Sequence, residues 1–217
     1  MDLFPLRLSL GVALLGTLLT VVSGLPLAWL LARRRFPGHD MLEAAVVLPL
    51  VLPPTVLGYY LLVLVSRRGP LAPAFEQLGI ELAFTWKAAV LAAWVGSYGM
   101  FVKAAQGGLE LVDARLEQAA RTLGRSEWSI LVTVTLPLAW RAVLAGAVVS
   151  FARSLGEFGI TLMVAGSIPG ATQTMPLAIY DYVQAGRLDE AARLSLIAVA
   201  LATVLLLGVS RFTRVRI

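Results

Sequence analysis

The 217-residue chain is 59% hydrophobic and 14% charged, against about 25% charged in an ordinary soluble domain, and its mean hydropathy is +0.83; this is the composition of an integral membrane protein. There is no cysteine and one histidine, His39, which removes thiol catalysis, disulfides and most transition-metal sites, and no cofactor is expected. The net charge of +5 does not point to nucleic acid, because the basic residues gather at the ends of apolar runs, where orientation in a bilayer accounts for them.

Leu8 to Ala32 carries no charge and exceeds the ~20 apolar residues that cross a bilayer as a helix. Its length and the Arg33-Arg34-Arg35 flank argue for a retained anchor rather than a signal peptide. The second charge-free run, Ala44 to Ser66, also reaches spanning length, but Pro49, Pro53 and Pro54 interrupt it, either as a packed kink or as a hinge lining a pathway. His39, next to Asp40, is expected to be a solvated loop residue. A third span lies within Leu82 to Gly108, with Lys87 and Lys103 near its ends where long side chains snorkel. A fourth starts around Pro137 and runs to Leu155, and Leu194 to Ser210 makes a fifth.

Phe158 to Tyr180 is uncharged too, yet Gly166-Ser-Ile-Pro-Gly170 and Thr172-Gln-Thr174 would break a helix in its middle. It is read as a re-entrant or extracytoplasmic excursion, since irregular backbone at membrane depth is tolerated only against protein or water. The expected fold is therefore an all-α polytopic membrane protein of about five transmembrane helices, forming one domain over 1–217. With the N-terminus outside, eleven of the 18 Lys and Arg residues, including Arg33 to Arg35 and the Arg211, Arg214 and Arg216 tail, fall inside and seven fall outside. That positive-inside bias puts the loop between the third and fourth spans, about 109–129, in the cytoplasm.

This loop is too polar to cross a membrane. Read as a helix, Leu109 to Leu123 places Leu109, Val112, Leu116, Ala119, Ala120 and Leu123 on one face, with Glu110, Arg115, Glu117 and Arg121 elsewhere. Ala119 and Ala120 keep the face thin enough for a partner groove to approach the backbone. Gly124 suits a left-handed terminator, Ser126 can cap a following helix, and Glu127 is well placed in its first turn. Periodicity alone fits a connector resting on lipid as well as a docking helix.

The order Gln118-Ala119-Ala120, Gly124, Val134 and Leu136-Pro137 resembles the loop of ABC importer permeases: Glu-Ala-Ala, three residues, Gly, nine residues, Ile, one residue, Leu-Pro. Gln118 stands where the family has Glu, and Val134 where it has Ile. Glu117 comes one residue early, about 100° round the helix. The resemblance implies a coupling helix seated in a cleft of a separate ABC ATPase subunit, with Glu117, Gln118, Ala119, Ala120, Gly124, Leu136 and Pro137 at the junction. No G-x-x-x-x-G-K-[ST] phosphate loop occurs in this sequence, so ATP hydrolysis is expected of another polypeptide and not of this chain.

The stretch Arg153-Ser-Leu-Gly-Glu-Phe-Gly159, with Gly166 to Gly170 and Thr174 to Tyr180, resembles the permeases for tetrahedral oxyanions. Its form is most similar to the molybdate or tungstate branch, with sulfate and thiosulfate permeases as the alternative. Pro26 to Trp29 and Leu48 to Val56 share the likeness. The resemblance implies a homodimer with the pathway at its interface, an extracytoplasmic oxyanion-binding protein and surrounding lipid as further partners. A charge in mid-membrane costs about 2.5–3.5 kcal/mol, so Arg153 and Glu157, four apart, are expected to neutralise each other. They would shape a gate or touch the anion, with Pro53, Pro54, Thr55 and Ser154 as further pathway candidates. Thr55, Ser97, Tyr98 and Ser154 could offer hydroxyls, although such groups usually bond backbone. A membrane-embedded enzyme would need a convergent set of acids, bases or metal ligands, which the spans lack apart from this pair; a carrier would need no ATPase.

Overall fold

The computed structural model describes residues 3–77 and 79–213. Every regular element among them is helical. α1 (Phe4–Arg33) starts with Pro5 in its first turn, where a missing N–H is harmless, and ends where Arg34 becomes extended. α2 (His39–Val51) and α3 (Pro54–Val65) follow, then the short α4 (Ala72–Gln77), α5 (Trp86–Glu110) and α6 (Ala114–Thr122). α7 (Glu127–Ile130) passes through a π-helical turn (Leu131–Thr135) into α8 (Leu136–Leu155). α9 (Gly159–Val164), α10 (Met175–Gln184) and α11 (Leu188–Thr213) complete the order.

Among the described residues, three helices are long and apolar enough to cross a membrane: Phe4–Arg33, Trp86–Glu110 and the continuous Glu127–Leu155. α2 and α3 share that character only as a pair, and they meet at 111°. A proline disfavours the α conformation for the residue before it, and with two in succession Leu52 and Pro53 are both extended, with ψ of 142° and 133°. The second apolar run is thus a sharp elbow at Pro53 and Pro54, whereas Pro49 stays inside α2.

α5 is the axis. It packs against α1, α8, α2 and α9, and Ala88, Ala89, Ala92, Phe101, Val102 and Ala105 are fully buried on it. Small residues permit this approach, as they do wherever membrane helices lack a hydrophobic drive to associate. A Cβ on Gly16 of α1 would lie 2.8 Å from that of Ala93, and one on Gly24 would lie 2.9 Å from the Phe101 ring. Gly108 and Ala142 bring α5 and α8 together in the same way. Within this seam Thr20 Oγ1 donates to Gly16 O (2.9 Å) and meets Ser97 Oγ at 3.2 Å.

Phe158 to Tyr180 is broken as expected. α9 and α10 flank an irregular segment in which Gly166 and Gly170 take φ of +70° and +73°. Thr172 Oγ1 accepts from Ile168 N (3.1 Å) and donates to Gly166 O (3.0 Å), replacing lost helical bonds. Gln173 Nε2 and Ser167 Oγ both donate to Asp181 Oδ2, and Met175 N donates to Ser9 Oγ on α1 (2.7 Å).

Three expectations need correction. The fourth apolar helix begins at Glu127, not near Pro137, because the π turn just before the proline absorbs its missing N–H. Leu109 to Leu123 is not one helix. Asp113 Oδ1 accepts from Arg115 N (2.9 Å) and caps α6 separately, while Leu109 and Val112 are buried in the core with α5. His39 is no solvated residue: at 4% exposure, its Nε2 bonds Leu31 O (3.1 Å) and its Nδ1 lies 3.2 Å from both Arg35 Nη1 and Asp40 Oδ1. It locks the turn between α1 and α2. Of the C-terminal basic tail, Arg214 and Arg216 lie outside the described residues.

Candidate functional site

Two places gather the residues singled out in the sequence. At one, α6 lies across the ends of α1 and α5 and beside the π turn. Its outward side carries Leu116, Gln118, Ala119 and Leu123, the last 83% exposed, with Leu111 88% exposed just before it. Ala120 is half-buried. Exposed leucines on and beside a short helix flanked by charges are a surface that a partner or lipid could cover. Gly124, at φ +78°, ends α6, with Gly124 N donating to Arg121 O (2.9 Å) and Arg125 N to Ala120 O (3.2 Å). Ser126 Oγ then accepts from Ser129 N (3.3 Å) and caps α7. Leu136 is half-buried and Pro137 exposed on the following helix.

The inward side of α6 carries Glu117, which is 2% exposed. Arg33 Nε and Nη2 approach its Oε1 at 3.0 and 2.9 Å, and Thr135 Oγ1 donates to the same oxygen at 2.7 Å. Arg33 Nη2 also donates to Leu109 O (2.8 Å) and Val112 O (3.3 Å), carbonyls at and just past the end of α5. Arg121 lies 3.7 Å from Glu117 Oε2 and grips Glu127 in a fork, Nε to Oε1 at 2.7 Å and Nη2 to Oε2 at 3.1 Å. That bond to Glu127 raises the Arg121 pKa above its ordinary value, so the guanidinium stays charged. Arg33 entered the sequence argument only as part of a stop-transfer cluster. Nothing in local periodicity marks it, because its partners lie 76 to 84 residues away.

The second place is the far end of α8. Arg153 Nη1 lies 2.6 Å from Glu157 Oε2, so the expected pair forms. The contact is an ion pair rather than an aligned hydrogen bond, because that oxygen has no partner of good hydrogen-bond geometry. Glu157 Oε1 accepts from Ile160 N (2.9 Å) and caps α9, and Oε2 sits 2.9 Å from where a Cβ on Gly96 would be. Glu157 is buried, while the Arg153 side chain is 32% exposed. Pro54 joins this place through Gly159, whose Cβ would lie 2.7 Å from the proline Cβ. Ser154 Oγ donates to Ala93 O (3.3 Å), Ser97 Oγ to Ala93 O (2.8 Å) and Tyr98 OH to Ser23 O (3.3 Å), so these hydroxyls are spent on backbone. Pro53 and Thr55 are exposed at the elbow.

Residues 24–215 match the family described as binding-protein-dependent transport system inner membrane component. The chain belongs to that family. It is 48% identical over 202 residues to the molybdenum transport system permease protein ModB of Escherichia coli (strain K12), covering 92% of this chain and 88% of that one. The sulfate transport system permease protein CysW of Synechococcus elongatus is 36% identical over 176 residues, 81% of this chain and 62% of that one. Among solved structures, an inward-facing form of the MetNI methionine ABC transporter superposes with a TM-score of 0.76 over 97% of this chain and 93% of that one, at 18% identity; this likeness concerns the fold alone. The family and the apolar helices make the chain a multi-pass membrane protein.

Proposed function

We propose that the chain is the permease subunit of an ATP-driven importer for a tetrahedral oxyanion, molybdate or tungstate. The observation that carries the substrate is the 48% identity to a molybdenum permease across nine-tenths of the chain; the 36% likeness to a sulfate permease supports sulfate as a second reading. The family description itself supports a separate binding protein as partner. In this reading 1–217 is one transmembrane domain of five spans, with α11 as the fifth, the bent α2–α3 pair as the second and the N-terminus outside. Two copies flank the pathway within the lipid.

α6 acts as the coupling helix on the cytoplasmic side. Its exposed Leu116, Ala119 and Leu123, with Gln118 beside them, form the side that a separate ATPase would cover. Leu136 and Pro137 begin the span that α6 would push. Arg153, Glu157, Ser154, Pro53, Pro54 and Thr55 belong to the gate region, where Arg153 pairs only with Glu157 among the described residues and stays 32% exposed. Because Glu157 neutralises it, the site attracts an anion without the tight binding that would slow its release.

The deciding experiment is ATP-dependent uptake by proteoliposomes holding the chain, its ATPase and its binding protein, with labelled molybdate competed by tungstate and sulfate. Competition by tungstate but not sulfate is the expected result. Preference for sulfate would change the cargo, and uptake without ATP would remove the importer reading.

A further inference from the structure

Besides the more exposed Arg121–Glu127 fork to α7, α6 is tied to the rest of the molecule by a buried carboxylate. Glu117 Oε1 receives Arg33 from the end of α1 and Thr135 from the π turn that leads into α8. The same guanidinium closes the end of α5 through Leu109 O and Val112 O. Three membrane helices therefore meet α6 at one oxygen atom and one guanidinium. The π turn is part of the arrangement. Residues four apart drift about 40° on an ideal α-helix, and the wider turn keeps Leu131, Thr135 and Ala139 together on the buried side. Thr135, at 0% exposure, is thereby aimed at Glu117.

A buried charge pair is a poor way to gain stability, because apolar residues of the same volume hold as well. It is a good way to fix position, since a planar guanidinium donating to a carboxylate and two carbonyls at once permits one geometry. We propose that Arg33, Glu117 and Thr135 are positioning residues that carry displacement of α6 to α1, α5 and α8 together, so that one push moves three helices as a body. This rests on the transport reading above. It also gives Glu117 a role distinct from that of a carboxylate at position 118, which would lie on the exposed side where Gln118 stands.

The test uses the assembled complex in proteoliposomes and reads three quantities: ATPase retained on purification, hydrolysis stimulated by loaded binding protein, and molybdate taken up per ATP. Thr135→Val removes one hydrogen bond at nearly constant volume, and Thr135→Ser restores it. Glu117→Ala removes the hub. ATPase capture should survive in all three, because none of these side chains lies on the exposed side of α6. Uptake per ATP should fall about three- to thirtyfold in Thr135→Val and Glu117→Ala and return in Thr135→Ser. Should Glu117→Ala fail to assemble, the two threonine variants still decide. Unchanged uptake per ATP in Thr135→Val, or loss of ATPase capture in step with uptake, would overturn the proposal. Absence of ATP-driven uptake by the unmutated complex would instead remove the transport reading and this inference with it.

Discussion

Each end of the core holds an arginine–glutamate pair, and the two are built differently. At α6, the arginine donates to a carboxylate and two carbonyls, and the carboxylate is shared by α1 and the π turn. At the far end of α8, the carboxylate is consumed by the α9 cap and the wall at Gly96, while Arg153 offers Glu157 one close contact and stays a third exposed. Both pairs neutralise charge at the ends of apolar helices. The first guanidinium is the more deeply held, 14% exposed with three acceptors, and the second is 32% exposed with one, so the first suits holding and the second fits the gate role proposed for it.

The contrast can be broken by substitution. The largest effect is expected from Ala120→Asp, which sets a carboxylate into the half-buried edge of the proposed coupling surface. ATPase capture should weaken by about thirtyfold or more, measured by co-purification from detergent, and retained ATP-driven uptake in that variant would count against α6 as the docking helix. Next comes Glu157→Ala, which strands Arg153 and uncaps α9. It should cost about 2–4 kcal/mol, below the full penalty of a buried pair because Arg153 reaches solvent, as read by thermal unfolding of the solubilised chain. Gly159→Ala forces a methyl against Pro54 and should cost about 1–3 kcal/mol in the same assay; an unchanged melting temperature would show that α9 and the elbow are not packed as described. Smallest is Gln118→Glu, a surface exchange expected to stay within about 0.5 kcal/mol, so a large loss of stability there would mean that position 118 faces inward.

How far residues announce such sites depends on the range of their interactions. Gly124 and Ser126 were legible because a left-handed terminator and an N-cap are decided within four residues. The pair Arg153–Glu157 was legible because i,i+4 is a local rule. The sharp α2–α3 elbow was foreshadowed by Pro53-Pro54, although local rules set no angle. Leu109 to Leu123 misled because its apolar positions keep helical spacing across a break: Leu109 and Val112 belong to the α5 core, and Asp113 starts a new helix with Leu116 and Leu123 turned outward. His39 and Arg33 were opaque for the opposite reason. Their positions are settled by carbonyls of Leu31, Leu109 and Val112, which become neighbours only after the helices dock.

The close approach of small residues along α5 has one more consequence. Where Gly16 faces Ala93, Gly24 faces Phe101 and Gly108 faces Ala142, even a methyl group has no room. An ion several ångströms across, with or without its water, cannot thread such a seam. In the transport reading proposed above, the cargo must then pass off this seam, along some other face of α5 or of the helices around it.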